Sequence, residues 1–219
     1  MFQARQHTVG VGTGWAWVQS DVLLEPDGSG DGPVDNADQA NLEWDTTYTA
    51  SARYEYFLTD NWLLGTRIDW RGYHSKSFQL ADRNIALHDH GTMHFVESLR
   101  YLFDPIGDTV RWRPFAGGEL SYVPGVNFRA DVTGPAGDSG SEQIRYRGNG
   151  FYNLGVSTGL SYLWADDTLL EFGALYEFPL GSSEDRVEFG DPEDLQDSRT
   201  KWDIEPEGLF FFVSLMVSY

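Results

Sequence analysis

The last eleven residues, Leu209-Phe210-Phe211-Phe212-Val213-Ser214-Leu215-Met216-Val217-Ser218-Tyr219, decide the fold. Taken in steps of two they separate into two faces, as side chains on a β-strand must. Leu209, Phe211, Val213, Leu215, Val217 and Tyr219 form a wholly bulky face. Phe210, Phe212, Ser214, Met216 and Ser218 form a mixed one. Chain termini fray unless something ties them down. A strand that stays apolar to an aromatic last residue therefore predicts a neighbouring strand and an apolar surrounding.

The same alternation recurs upstream in seven more segments, giving strands over Thr8–Ser20, Thr46–Leu58, Trp62–His74, His88–Phe103, Arg111–Val123, Phe151–Trp164, Thr168–Leu180 and Gly208–Tyr219. Each exceeds the ~5–6 residues usual for a globular strand and suits a tilted membrane strand of about 9–11 residues with an extension. Thr59–Asn61, Asp104–Val110 and Ala165–Asp167 are short connections; 21–45, 75–87, 124–150 and 181–207 are long ones. Long and short alternate, as in outer-membrane barrels with long external loops and short periplasmic turns. The expected fold is all-β, one eight-stranded antiparallel up-and-down transmembrane β-barrel over residues 1–219, with both ends of the chain periplasmic.

Which face looks outward follows from volume. In 151–164, Tyr152, Leu154, Val156, Leu160, Tyr162 and Trp164 alternate with Asn153, Gly155, Ser157, Gly159 and Ser161. An eight-stranded barrel has interior room only for filling side chains or one small ligand. A soluble barrel with its bulky face inward therefore cannot be closed. The aromatics agree: Trp62, Tyr101, Phe103, Trp112, Tyr162, Trp164 and Tyr219 fall near the short turns. Trp15, Trp17, Tyr48, Trp70, Tyr122 and Tyr176 fall near the other ends, which makes two interfacial girdles.

Composition is compatible with that. No apolar run approaches the ~20 residues of a membrane helix. Met1–Arg5 lacks the apolar region of a signal peptide, so the expectation is a mature exported domain with a start methionine. There is no cysteine, which removes disulfides and thiolate metal sites. Residues 21–45 hold eight acids and no base, and 181–207 hold ten acids against Arg186, Arg199 and Lys201. Together they supply −15 of the net −19. Such a field excludes nucleic acid as a partner.

Facing inward by alternation are Arg53, Glu55, Arg67, Asp69, Arg71, Arg100, Arg113, Glu119, Glu171 and Glu177. Buried charges of both signs should pair, forming a salt-bridge plug; a polar ion path is the alternative. Tyr73, Val123, Phe151, Phe210 and Phe212 face inward near the external ends and are expected to form an apolar vestibule, the common shape of a small-ligand site. Glu97 falls on the lipid face of its strand, a costly place for a carboxylate. A β-bulge turning it inward is expected; a polar lateral opening is the alternative.

Arg113-Pro114-Phe115-Ala116-Gly117-Gly118-Glu119-Leu120-Ser121-Tyr122 resembles the R-P-Y-x-G-x-G strand of small outer-membrane barrels of the OmpW and OmpA type. Thr59-Asp60-Asn61-Trp62 is similar to the turn before their third strand, and the strand order and long fourth loop look most like OmpW. The resemblance implies an outer-membrane protein that binds or passes small hydrophobic molecules. Glu119 departs from the motif's second glycine and adds bulk and charge to the lumen.

Three further chemistries compete. Asp27, Ser29, Asp31, Asp35 and Asp38, with Gly32 at the sixth position, have the spacing of a calcium loop. His88, His90 and His94 share a face, with His74 on the neighbouring strand, and could hold Zn²⁺ or Cu²⁺. His94, Glu97 and Ser98 are the nearest approach to a lipid A hydrolase, but Glu97 points away from the other two. The expected function is therefore non-enzymatic: binding or passing hydrophobic molecules with lateral exit, requiring no cofactor beyond an optional Ca²⁺. The alternative is a structural or adhesive barrel whose acidic loops bridge through divalent cations to lipopolysaccharide. Partners are outer-membrane lipid, lipopolysaccharide and a small hydrophobic ligand, and the barrel is expected to be monomeric.

Overall fold

The computed structural model describes residues 6–26, 38–75, 77–80, 83–107, 111–133, 141–188 and 199–219. In chain order the strands are β1 (His7–Pro26), β2 (Asp38–Phe57), β3 (Trp62–Ser75), β4 (Ser77–Leu80), β5 (Arg83–Leu87), β6 (His90–Leu102) and β7 (Trp112–Val123). They continue with β8 (Asn127–Thr133), β9 (Ser141–Arg147), β10 (Phe151–Ala165), β11 (Thr168–Pro179), β12 (Ser183–Glu188) and β13 (Arg199–Ser218). Eight of them, β1-β2-β3-β6-β7-β10-β11-β13, form an antiparallel barrel that closes where β13 pairs with β1. Closure reaches the chain's end: Tyr219 N donates to the His7 carbonyl (2.9 Å), and His7 N donates back to Tyr219 O (3.3 Å). The terminal strand is thereby tied down.

The short turns are built by local side chains. At Thr59–Trp62 the Thr59 hydroxyl accepts from Asn61 N and Trp62 N (3.3 and 3.0 Å), while Asn61 Nδ2 donates to Leu102 O (2.7 Å). Threonine and asparagine suit such turns because their side chains replace missing backbone partners. Outward-facing aliphatics, including Val11, Leu64, Ile68, Leu99, Leu160 and Leu215, form the exposed belt of the wall. At the rims Trp62 meets Tyr101 (centroids 5.0 Å), Trp112 meets Tyr162 (4.5 Å) and Tyr122 meets Tyr152 (5.1 Å). These aromatic pairs mark the two interfaces.

Much of the long connections is strand. β1 continues to Pro26 and β2 starts at Asp38, so those strands rise well above the girdle. β4 and β5 lie within 75–87, β8 and β9 within 124–150, and β12 with the start of β13 within 181–207. β4-β5-β8-β9 form a second, four-stranded sheet at the end away from the short turns. Ile85, Leu87, Phe128, Ala130, Val132, Ile144 and Tyr146 are buried on its inner face against Tyr73, Val123, Phe151 and Phe210 at the top of the barrel. Asn127, Arg129, Thr133, Gln143 and Arg145 are exposed on its outer face. Its β9 edge is tied to β12: Tyr146 Oη donates to the Ser183 carbonyl, and Ser183 Oγ donates to Asn149 O (3.2 Å).

Candidate functional site

The lumen is stacked in three layers. At the short-turn end Phe57, Leu63, Leu102 and Phe115 form a buried apolar floor, with Phe212 packed on it. This floor lies on the same inward face as the charges, but four scattered positions on four strands give no local pattern to find it by.

Above the floor lie four arginines and five carboxylates in two groups. In the lower group Arg53 reaches Glu171 (2.8 Å) and Glu55 (3.6 Å), and Arg100 reaches Glu171 (3.0 Å) and Glu55. Ser161 Oγ donates to Glu171 Oε1 (2.8 Å). In the upper group Arg67 joins Asp69 (2.7 Å) to Glu119 (2.8 Å), and Arg71 joins Asp69 (3.3 Å) to Glu177. Each is deeply buried. Aromatic faces complete the cage: Arg71 sits over Phe210 (4.1 Å), Arg100 over Phe115 (4.8 Å) and Arg53 over Phe212 (5.4 Å). Low dielectric makes such contacts strong and makes an unpaired charge expensive.

Arg113 is not in this network. Its guanidinium donates to the carbonyls of Phe103 (2.9 Å), Asp60 (3.1 Å) and Leu102 (3.3 Å) at the short-turn rim. Alternation fixes a side chain's face but not its depth, and position 113 is too near the strand end to reach the carboxylates.

The third layer corrects the expectation of an open vestibule. Tyr73, Val123, Phe151 and Phe210 are buried and Phe212 packs against them, beneath the outer sheet. The space beside Tyr73, Val123 and Phe151 amounts to about 10 Å³, and that beside Phe210 and Phe212 to about 20 Å³. Each has room for about one water. The sheet that fills the cup comes from segments whose pattern reads as loop.

Glu97 corrects a second expectation. The β3–β6 and β6–β7 ladders run without a register shift through Thr66↔Glu97 and Glu97↔Leu120, so there is no bulge and the carboxylate stays on the outer wall. It lines a shallow depression of about 730 Å³ with Ala52, Tyr54, Thr66, Ile68, Phe95, Leu120, Tyr122 and Tyr152. Just above, the β6–β7 ladder has a gap, where β8 packs against β6 through Phe128 on His90 (centroids 5.5 Å). β6 pairs with β3 up to His90, but its pairing with β7 stops at Phe95↔Tyr122. The cause is local: Pro124 has no N–H for a ladder, and the chain leaves the barrel there to enter β8.

The other candidates separate. His88 Nε2 bonds Asp131 (2.9 Å), His74 Nδ1 bonds Asp89 (2.7 Å), and buried His94 bonds Thr92 Oγ1 (3.0 Å). No group of three metal-ligating side chains forms among the described residues. Asp27, Ser29, Asp31 and Asp35 lie outside the described residues; Asp38 opens β2 opposite Leu24.

A closed eight-stranded barrel with an apolar outer belt, two aromatic girdles and a polar lumen is an outer-membrane β-barrel, and the outer membrane is where it resides. Among solved structures it resembles the outer membrane protein OprG from Pseudomonas aeruginosa. The TM-score is 0.60 at 13% identity, over 99% of this chain and 97% of that one. The outer membrane protease OmpT from Escherichia coli aligns at TM-score 0.53 and 9% identity, over 98% and 97% of the two chains. At these identities the likeness is one of fold. No family model and no curated protein matches the sequence.

Proposed function

We propose that this chain is a non-enzymatic barrel that takes in small hydrophobic molecules at its external mouth and releases them sideways into the bilayer between β6 and β7. The observation that carries this reading is the early end of the β6–β7 ladder. The gap separates apolar Tyr73, Val123 and Phe151 inside from the apolar depression outside. The straight path is filled by the charged layer and the floor beneath it. Loading the inner cluster requires the outer sheet to lift, a hinge motion about its attachment to β12. Against catalysis, His94 is bonded to a threonine and Glu97 lies on the opposite face. The protease among the similar structures shares a fold, which by itself carries no chemistry.

A structural or adhesive barrel bound to lipopolysaccharide is a second reading. It is favoured by Arg129 and Arg145, exposed cross-strand partners on the outer sheet. Like charges placed opposite repel unless an anion lies between them, and a sugar phosphate suits that place. Calcium bridging through the acidic first loop belongs to this reading.

The test uses the absence of native cysteine. His94→Cys with Val123→Cys places one pair across the gap. In lipopolysaccharide-containing proteoliposomes, uptake of an apolar dye such as pyrene should stop on oxidation and return on reduction. Uptake indifferent to the cross-link excludes the lateral route and leaves the second reading.

A further inference from the structure

Between the girdles, the carboxylates in the lumen all meet an arginine. Glu97 makes no hydrogen bond or ion pair among the described residues, and it faces lipid. Along β6 it lies four residues from Tyr101 at one girdle and four from Met93, the cross-strand partner of Trp70, at the other. At ~3.3 Å per residue on a strand tilted about 40°, the girdle positions of its own strand lie roughly 10 Å away, while Tyr122 of the outer girdle, opposite Phe95 on β7, stands nearer.

The wall around it is shaped. Ala52 and Thr66 are small and leave the surface low, while Phe95, Tyr122 and Tyr152 stand around it. The depression, at about 730 Å³, is within the roughly 300–1,000 Å³ range of small-molecule sites. Its lining is apolar save for Thr66, the tyrosine hydroxyls, one strong acceptor and the wall at Arg53 and Arg67, whose guanidinium groups pair with Glu171 and Glu119 in the lumen. An intramembrane carboxylate left without a protein partner marks a place where a partner is supplied by something else.

We propose that Glu97 anchors a membrane-facing site for apolar molecules that carry one hydrogen-bond-donating headgroup, of which a primary amine is the best fit. The tail lies on Phe95, Tyr122 and Tyr152, and the amine donates to Glu97. For delivery the site rests on the lateral route proposed above, since the β6–β7 gap opens directly over Phe95 and Tyr122. In low dielectric a charge-assisted hydrogen bond adds strongly to dispersion contact, so an amine is retained over an alkane of equal length. A fatty carboxylate is repelled by the like charge. The site therefore selects by headgroup where the apolar cluster inside the barrel selects only by size.

The test is photolabelling of the whole chain in phosphatidylcholine nanodiscs with three matched diazirine probes: octylamine, octane and octanoate. In wild type the amine should label Thr66–Ile68 and Phe95–Leu99 about tenfold or more above the alkane, the worth of one hydrogen bond to a charged group. Octanoate should label least. Glu97→Leu should bring the amine down to the alkane's level, and Glu97→Gln, which keeps an acceptor without charge, should fall between. Heat-shifted gel migration verifies that each variant is folded. Equal labelling by amine and alkane in wild type, or undiminished labelling in Glu97→Leu, overturns the proposal. A disulfide-linked dimer from Thr66→Cys with no amine labelling would assign the depression to a second copy, with the same consequence. Labelling needs no transport: a cross-link that blocks uptake without amine preference sinks this inference alone. Amine preference with cross-link-indifferent uptake sinks the route and leaves the site.

Discussion

Arg67 shows how tightly the charged layer is specified. Its guanidinium spans Asp69 on its own strand and Glu119 on β7, and Glu119 has its ion pair only with Arg67 among the described residues. Asp69 keeps Arg71 as a second partner. Arg67→Met should therefore strand Glu119 as a buried, uncompensated charge and destabilise the barrel by about 3–5 kcal/mol. Arg67→Met combined with Glu119→Met should recover most of that, because an apolar pair removes both desolvation costs. Urea unfolding followed by the heat-shifted gel band measures both variants. An unchanged midpoint for Arg67→Met would mean the layer does not hold the barrel together. At this scale the inward set was legible from period-two alternation, since nine of its ten charges meet in the lumen. Arg113 was not, because alternation cannot say that it meets backbone carbonyls at the rim instead.

At the scale of elements the departure at Pro124–Gly125 has the widest consequence, since it both ends the β7 ladder and launches the outer sheet. Gly125 has φ +144°, and a Cβ there would run into the Gly148 carbonyl. This junction hid the outer sheet from the sequence. Its strands alternate, but only over four to seven residues and without a lipid-facing partner row, so they read as loops. The membrane strands were legible because both of their faces are constrained over a dozen residues or more. Within the outer sheet Asp131 on β8 is bonded by His88 (2.9 Å) and by Gln143 on β9 (3.3 Å). The His88 hydrogen bond first, and then Gln143, hold its carboxyl below the ordinary carboxylate range. A carboxyl depressed in the folded state contributes stability above its unfolded value of ~3.9, which is lost as pH falls through the folded value. The sheet's acid loosening therefore starts below about pH 4. In an NMR titration the Asp131 carboxyl carbon should have its midpoint below ~3.9 and move upward in His88→Ala. A midpoint that ignores His88 removes this contact from the sheet's account.

The whole molecule is asymmetric along the membrane normal, and that asymmetry predicts its orientation. One end has the short turns at Thr59–Trp62 and Ala165–Thr168; the other has tall β1, β2 and β13 and the separate sheet. Outer-membrane barrels put short turns in the periplasm and long connections outside. Asp60 and Asp166 should then face the periplasm, and Asn127 and Gln143, exposed on the outer sheet, should face the medium. Because the chain has no cysteine, single replacements report without background. On intact cells a membrane-impermeant maleimide should label Asn127→Cys and Gln143→Cys, and should label Asp60→Cys and Asp166→Cys only after lysis. The reverse pattern would invert the molecule. It would place the apolar cluster and the β6–β7 gap on the periplasmic side, so that any hydrophobic cargo would travel outward. Labelling of all four positions on intact cells would contradict a single spanning orientation altogether.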